Sequence, residues 1–493
     1  MPKLSLSDKA VIIFLGEFIE KMMAILIGII LVRVFTKSDY GSYRQVWLVV
    51  GTFSMISLMG IPKSVFYFIP KLDDQKRKGF ILQTIILLFL IGSILTLILY
   101  LFSSFIGSRF NNPSLVKLLK IFSLYPMFSI PIQYLRNLLI SLDKHKMAAI
   151  FPLLKEVIFL IFVLVPAILG YPLVTVFISV LIFSFLTLII VLLYTFTILF
   201  GKLRFDGIFS TLRPQIGYSI PLGLSGILEK ISRELDKFVI SFFYLSDRFA
   251  IYSIGAIQIP LVTTLRSSIG SVLLPKLVEL YDQEKTKGFI KLWHESIRKT
   301  AIIVLPIFAF LFVTAEQFIT FLYTNDYLES TGPFRIYLFS IPYRVTNFGY
   351  ILMAMGYSKF ILIGSIIFIL SNLLLNIFFI HLIGFLGPAL ATIIASYILN
   401  GFFLIKTKGM LHLSLLELFP WMDMLKILSV SGLSSCLIYP LTLLQIPSFL
   451  VLVLAALIYI PTYILLLNRL DMITESDILL VKRWLGLGIF FRG

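Results

Sequence analysis

Long apolar segments, separated by short polar clusters, follow one another along almost the whole chain. One of them runs from Gly79 to Gly107 and contains no charged residue. A helix needs about 20 apolar residues to cross the ~30 Å hydrocarbon core, whereas the strands of a membrane barrel alternate apolar and polar residues over about ten. The pattern therefore predicts an all-α integral membrane protein.

Charged clusters, glycines and prolines divide the chain into about fourteen apolar segments, each of which we predict to be a transmembrane helix. The 59% hydrophobic composition agrees with this class. Several segments contain internal Gly and Pro, which predict kinked helices whose freed backbone groups need protein or water as partners. The predicted helices start near Lys9, Tyr43, Gly79, Leu118, Met147, Pro172, Pro214, Ala250, Ile290, Pro333, Phe360, Phe385, Lys426 and Pro447.

Basic residues fall mainly in alternate connections between the predicted helices. They include the cluster Lys76–Lys78 and the group Lys144, Lys146 and Lys155, whereas the long connection Ala315–Gly332 on the other side is net acidic. Because cytoplasmic loops carry the excess of Lys and Arg, we expect the basic side and both chain termini to be cytoplasmic. These loops account for the net charge of +17, so that charge is no argument for nucleic-acid binding.

A short charged phrase occurs twice in equivalent places. DQKRKGFI begins at Asp74 and DQEKTKGFI begins at Asp282, and each follows PKL, after the second and the eighth predicted helix. The phrase FSIP also recurs, in the fourth and tenth helices. Anchors repeated in the same order predict two six-helix lobes, 1–205 and 206–408, followed by 409–493, which holds two further helices and an amphipathic cytoplasmic tail.

The two lobes are predicted to be parallel repeats. Six is an even number of helices, and both copies of the charged phrase lie on the basic side, so an axis along the membrane normal should relate the lobes. Transporters built in this way place a substrate site between the lobes and alternate its access. A duplication that serves packing alone is the competing interpretation.

Four basic residues lie within predicted helices and have no carboxylate within one turn of the same helix. A charge at the bilayer centre costs about 2.5–3.5 kcal/mol on insertion scales, so such residues normally face a bundle interior or water. Together they predict a cationic cavity, which an anion with several oxygens, such as a diphosphate, would satisfy. For any one of them, snorkelling to the membrane surface is the alternative. The four residues are Lys63, Arg136, Arg266 and Arg344.

The first helix of each predicted lobe carries acids as well as bases. Glu20 lies in the first helix, and the seventh contains two pairs spaced i, i+4, namely Glu229 with Arg233 and Lys230 with Glu234. Mutual neutralisation is the structural interpretation. The functional interpretation adds Lys230 and Arg233 to the substrate-binding cations and makes Glu20 and Glu229 candidate coupling carboxylates.

Sequence signatures of catalysis and of cofactor binding are missing from the chain. The single Cys436 allows no intramolecular disulfide, and no phosphate-cradling loop, dinucleotide fingerprint or HExxH motif occurs. The 4 histidines are scattered without metal-ligand spacing. We therefore expect no catalytic residues, no metal site, no cofactor and no enzymatic activity.

Three stretches carry a family resemblance. They are LVRVFTKSDYGSYRQVW from Leu31, the two FSIP helices, and IGFLGPALATIIA from Ile383. They resemble the polysaccharide transporter, or oligosaccharide flippase, family of the multidrug/oligosaccharidyl-lipid/polysaccharide exporter superfamily, which is MATE-like. The resemblance implies two lobes forming a V around a central cavity, with Arg136, Arg266 and Arg344 matching the location of cavity cations.

The leading hypothesis is a flippase of the cytoplasmic membrane that exports a polyprenyl-diphosphate-linked oligosaccharide for surface polysaccharide synthesis by alternating access. Its expected partners are the lipid-linked substrate, membrane lipids, and the polymerase and glycosyltransferases of the same route. A cation-coupled multidrug exporter of the same superfamily is the alternative, and it would need a carboxylate-rich cavity. A membrane glycosyltransferase or polymerase is a third candidate, for which the outer loops leave little room.

Overall fold

The computed structural model describes residues 6–199, 209 and 211–472, and every regular element within them is helical. Short 3₁₀ turns occur at Ile69–Lys71, Pro131–Tyr134, Asn325–Ser330 and Gly384–Leu386. The α-helices are α1 (Leu6–Val34), α2 (Lys37–Ser57), α3 (Ile61–Phe68), α4 (Asp74–Arg109), α5 (Pro113–Phe122), α6 (Tyr125–Ser129), α7 (Leu135–Ser141), α8 (His145–Ile168), α9 (Leu173–Leu199), α10 (Leu212–Phe243), α11 (Ser246–Gly255), α12 (Pro260–Asp282), α13 (Thr286–Val313), α14 (Ala315–Tyr323), α15 (Thr331–Leu338), α16 (Ser340–Tyr343), α17 (Phe348–Ala354), α18 (Ser358–Leu382), α19 (Gly387–Leu411), α20 (Leu415–Leu418), α21 (Trp421–Thr442) and α22 (Ser448–Arg469).

Within the described residues, 11 helical segments are long and apolar enough to cross a membrane. The predicted all-α, multi-pass membrane class is therefore confirmed. Helices α1 and α10 contain 29 and 32 residues and so also have sufficient length, but both carry several charges. The total of about fourteen spans and the side on which the termini lie stay predictions, and the predicted amphipathic tail falls beyond Met472, outside the described residues.

The predicted kinks are present as breaks between short helices. The second predicted span consists of α2 and α3, which meet where Met59 and Gly60 have positive φ angles of 45° and 76°. The fourth span is divided among α5, α6 and α7, and the tenth among α15, α16 and α17. Pro126 and Pro131 lie at two of these breaks. Proline has no backbone N–H, so it cannot donate a hydrogen bond to the preceding turn.

Side-chain caps fix the starts of several helices outside the apolar segments. Asp73 accepts a hydrogen bond from the backbone N–H of Lys76 at 2.8 Å and so caps α4. That backbone N–H holds the pKa of the Asp73 carboxyl below its usual range. Ser414 and Glu417 form a reciprocal capping box at α20. The charged phrase that begins at Asp74 therefore starts a helix directly from its cap.

The chain forms two compact units. Unit 1 comprises Met1–Thr264 and Ile361–Leu399, in which α1 packs on α8, and α10 packs on α2 and α3. Unit 2 comprises Leu265–Phe360 and Asn400–Gly493, in which α13 packs on α21, and α22 packs on α21 and α14. The units group helices by contact and not by repeat, so the lobe boundaries 1–205, 206–408 and 409–493 stay predictions.

Helix α2 packs most extensively on α11, and the contact joins residues that the predicted repeat would make equivalent. Ser38 and Ser246 both begin an SD phrase in the sequence, and their Oγ atoms lie 3.0 Å apart. A Cβ added to Gly41 would lie inside van der Waals distance of the Ser246 carbonyl, so the two backbones touch. Direct contact between equivalent residues is the geometry expected near a pseudo-twofold axis.

Candidate functional site

One face of α10 carries a row of charged side chains, which we call the ion stripe: Lys230, Glu234 and Lys237. Their spacing, i, i+4 and i+7, places them along one helix face. Glu234 is shared by both lysines, with Nζ to Oε distances of 2.8 Å to Lys230 and 2.6 Å to Lys237. The pairing of Lys230 with Glu234 that the sequence predicted is thus present, and Lys237 joins it. All three side chains are half-buried.

The other charges of α10 have different surroundings. Arg233 is exposed, whereas Asp236 is fully buried and accepts a hydrogen bond from Tyr252 Oη at 3.0 Å. The side chain of Glu229 lies outside the part of the structure that is described, so its pairing with Arg233 and its coupling role stay predictions.

Buried polar contacts hold the C-terminal end of α10. Gln45 Nε2 lies 3.5 Å from Ser241 Oγ, and Ser241 is one turn beyond Lys237 on the ion-stripe face. Asn112 Nδ2 in turn donates to Gln45 Oε1 and to Ser42 Oγ, both at 2.8 Å. We call this group the amide cluster. It fixes the register of α2 against α10.

A second buried network holds the N-terminal end of α10. Gln83 Nε2 donates to Gln215 Oε1 at 2.6 Å, and Gln215 Nε2 donates to Ser64 Oγ and Thr84 Oγ1 at 3.0 and 2.9 Å. The four side chains are fully buried and come from α3, α4 and α10. About two turns further along α10, an added Cβ at Gly223 would collide with the backbone of Met59 at the α2–α3 break.

The structure brings Lys63 and Arg136 onto two packed helices of unit 1. Asn137 Nδ2 donates to the carbonyl of Pro62 at 2.8 Å, so the residues next to each cation are joined directly. Lys63 is exposed and makes no ion pair among the described residues, whereas Arg136 is half-buried and has partners. We call these residues the α3–α7 cation pair.

The two remaining predicted cations lie in unit 2. Arg344 follows α16 directly, at the break before α17, and its Nε is buried with no hydrogen-bond acceptor in the described part of the chain. Arg266 is half-buried, has partners, and shares a face of α12 with Gly270 one turn later. A Cβ at Gly270 would meet the ring of Tyr350 on α17, so α12 and α17 approach closely.

Sequence reasoning missed a charged pair near the middle of α8. We counted Lys155 with the basic residues of a connection on the cytoplasmic side, but the structure places it within α8, about 15 Å from the start of this helix at His145. Lys155 Nζ pairs with Glu156 Oε1 at 2.9 Å, and Glu20 of α1 acts on Lys155 electrostatically. The rise of 1.5 Å per residue would have placed this lysine at membrane depth.

The arrangement suits an anionic ligand more than a cationic one. Acidic side chains in the helices, such as Glu234 and Glu156, are paired with lysines. The half-buried Arg344, in contrast, makes no ion pair with a carboxylate in the part of the chain that the structure describes. No three His, Cys, Asp or Glu side chains gather as a metal site in the residues described. Guanidinium and ammonium groups at membrane depth can hold the oxygens of a phosphate or diphosphate.

Comparison with known families decides the relationship. A family model described as "Polysaccharide biosynthesis protein" matches residues 30–332, which is more than half of the chain. The chain belongs to this family. The resemblance to the polysaccharide branch of the exporter superfamily is thereby confirmed. A search of curated proteins found no match for this polysaccharide biosynthesis protein.

Solved structures share its fold. A lipid II flippase MurJ in an inward closed conformation matches with a TM-score of 0.76 and 19% identity, covering 93% of this chain and 98% of that one. An inward-facing MATE family multidrug transporter gives 0.63 and 12%, covering 82% and 98%. A superfamily transporter from Pyrococcus furiosus gives 0.58 and 14%, covering 82% and 96%. At these identities the likeness establishes the fold alone, which this family member shares with flippases and drug exporters.

Proposed function

We propose that this chain is a flippase that moves a polyprenyl-diphosphate-linked oligosaccharide across the cytoplasmic membrane, for surface polysaccharide synthesis. It does so by alternating access and catalyses no reaction. The proposal includes about fourteen spans, cytoplasmic termini, parallel lobes at 1–205 and 206–408, and two added helices within 409–493. Contact between Ser38 and Ser246, which the predicted repeat makes equivalent, supports a twofold relation between the lobes.

The observation that carries the proposal is the state of Arg344. A buried donor without an acceptor costs about 1–3 kcal/mol, and the cost rises when the group is charged. The Nε of Arg344 is such a donor, and it lies at a helix break within a membrane protein. An oxygen of a bound diphosphate would accept from this Nε, and the guanidinium fork suits two such oxygens.

The other candidate residues take parts of the same task. The diphosphate is held by the cations, the sugar occupies a hydrophilic cavity, and the prenyl chain stays in lipid. Glu20 and Glu229 are the candidate coupling carboxylates. The polymerase and glycosyltransferases of the route are the expected protein partners. The substrate-binding cations are Arg136, Arg266 and Arg344, with Lys63, Lys230 and Arg233 as further members.

Membership of a polysaccharide biosynthesis family supports this function over drug export. A cation-coupled drug exporter needs carboxylates that are available to an organic cation. Glu234 and Glu156 are each paired with lysine at 2.9 Å or less, so these acids do not meet that requirement.

The test is the leaflet distribution of lipid-linked sugar in cells that depend on this chain for export. The variants Arg266→Ala and Arg344→Ala should leave the lipid-linked sugar on the cytoplasmic leaflet. Arg109→Ala is the matched control, because Arg109 is exposed at the end of α4. Normal export by both cavity variants, inserted at normal levels, would show that these arginines do not bind the substrate.

A further inference from the structure

Arg44 of α2 lies beside the ion stripe and belongs to none of the predicted sites. It follows Gly41 by about one turn and directly precedes Gln45, and these are the residues through which α2 contacts α11 and α10. Gln45 meets Ser241, so Arg44 lies beside this contact, and Lys237 lies about one turn, roughly 6 Å, from it along α10. Arg44 is close enough to Lys237 for the two charges to interact.

Two acids of α10 already have partners. Glu234 is shared by two lysines, and Asp236 accepts from a tyrosine hydroxyl. Arg44 is half-buried and makes no ion pair with a carboxylate among the described residues. A half-buried guanidinium requires a counter-ion or water, because removing its hydration uncompensated is costly. The position of Arg44 therefore favours an anionic ligand.

The α3–α7 cation pair lies towards the other end of the same helical path. From Arg44 the chain continues through α2 and the break at Gly60 into α3, where Lys63 lies. At 1.5 Å per residue, this path is roughly 28 Å long, close to the ~30 Å thickness of the hydrocarbon core. Unit 1 therefore carries basic groups at two depths, separated by most of the membrane.

We propose that unit 1 holds two successive stations for the diphosphate group. The α3–α7 cation pair receives the diphosphate at one leaflet, and Arg44 with Lys237 holds it near the opposite leaflet before release. This inference rests on the proposed function and adds Arg44 and Lys237 to its binding residues. With the termini cytoplasmic, the α3–α7 pair is the entry station.

The chemistry of the second station allows exchange. The Arg44 guanidinium can donate two parallel hydrogen bonds to diphosphate oxygens, and the Lys237 ammonium can reach a further oxygen. When Lys237 turns from Glu234 to the ligand, Glu234 keeps its pair with Lys230. Binding at this station therefore leaves no buried carboxylate without a cation. Release simply restores the bridge seen in the structure.

The experiment uses the full chain in liposomes and a fluorescent polyprenyl-diphosphate-linked disaccharide as the probe. Binding is measured by titration of the detergent-solubilised protein with the probe. Translocation is measured by quenching the fluorescence of the probe molecules that lie in the outer leaflet of the liposomes. Arg44→Gln should slow translocation at least tenfold and leave binding within twofold, whereas Arg136→Gln should weaken both at least tenfold. Arg44→Lys, which keeps the charge, should recover most of the translocation rate.

Controls separate a second station from a structural role. Arg109→Gln removes an exposed basic group of the same kind on α4 and should change neither readout. Thermal unfolding midpoints must match the parent chain. If Arg44→Gln fails this check, Lys237→Gln replaces it and should show the same selective loss of translocation.

Three outcomes would overturn the inference. If folded Arg44→Gln translocates the probe at the rate of the parent chain, there is no second station at Arg44, and the proposed flippase function is unaffected. Equal loss of binding and translocation in Arg44→Gln and Arg136→Gln indicates one site in place of two. A parent chain that binds and moves no lipid-linked sugar contradicts the proposed function itself and this inference with it.

Discussion

The middle and the two ends of α10 are built from different chemistry. Each end is held by neutral amides and hydroxyls that are buried and hydrogen-bonded, with Gln215 at one end and Ser241 at the other. The middle carries the ion stripe, whose side chains are half-buried and share one carboxylate. Neutral contacts thus fix the position of the helix, while the charges between them pair with one another and stay half-buried.

The largest expected effect comes from removing the shared acid. Glu234→Gln leaves Lys230 and Lys237 side by side without their common partner, and Glu234 is only 17% exposed. Removing one partner of a buried ion pair costs about 3–5 kcal/mol, so the thermal unfolding midpoint should fall markedly. Glu279→Gln is the control, because it breaks a pair of the same kind and length, 2.8 Å, that is exposed. An equal loss in both variants would show that the ion stripe behaves like any surface pair.

A smaller loss is expected from closing the α2–α11 contact. Gly41→Ala forces a methyl group against the Ser246 carbonyl, and overpacking of this kind costs about 1–3 kcal/mol. Gly51→Ala is the control on the same helix, since nothing lies within 4 Å of a Cβ there. That control should be neutral or stabilising, by up to about 1 kcal/mol. The thermal unfolding midpoints of the two variants are the measurement. Equal midpoints would show that α2 and α11 do not touch closely at Gly41.

The buried network at the other end of α10 predicts coupled losses. Gln215→Leu leaves the amide of Gln83 and the hydroxyls of Ser64 and Thr84 without this partner, at a cost of about 1–3 kcal/mol. Gln83→Leu should cost a similar amount. Because the two amides bond directly, the double variant should lose less than the sum of the single losses. Strict additivity in a double-mutant cycle of unfolding free energies would mean that the two side chains act independently.

The smallest expected change in stability comes from removing the exposed carboxylate of Asp73. Asp73 caps α4 and has a lowered pKa, so its contribution to stability is present above the unfolded pKa of about 3.9 and is lost as pH falls through the folded value. The midpoint difference between the parent chain and Asp73→Asn should be under about 2 °C at pH 6 and should shrink towards pH 3. A difference that stays constant over this range would mean that the carboxylate charge is irrelevant to the cap.

The sequence was sufficient to predict the all-α membrane class and the positions of most helices. Each apolar segment that it predicted overlaps a helix, and the internal Gly and Pro residues mark real breaks, as at Gly60. The spacing of apolar residues and the composition of each segment are local properties of the sequence, so helices and breaks could be predicted from them. The i, i+4 pair of Lys230 and Glu234 could be predicted for the same reason.

The rest depended on contacts between distant segments. Lys237 lies next to an acid in sequence, but its bridge to Glu234 required knowing which α10 face is covered. Arg44 drew no attention because it follows a polar helix start, and only the packing of α2 on α10 places it beside the ion stripe. Lys155 was misplaced because charge was given more weight than depth along the helix.

The central claim is that cations at membrane depth bind the diphosphate of a lipid-linked sugar. Its most direct test is the affinity of the purified full chain for a polyprenyl diphosphate, compared with the uncharged polyprenol of the same length. We predict at least tenfold tighter binding of the diphosphate, with most of that preference lost in Arg344→Gln. Equal affinity for the two lipids, or a preference that Arg344→Gln leaves unchanged, would contradict the account.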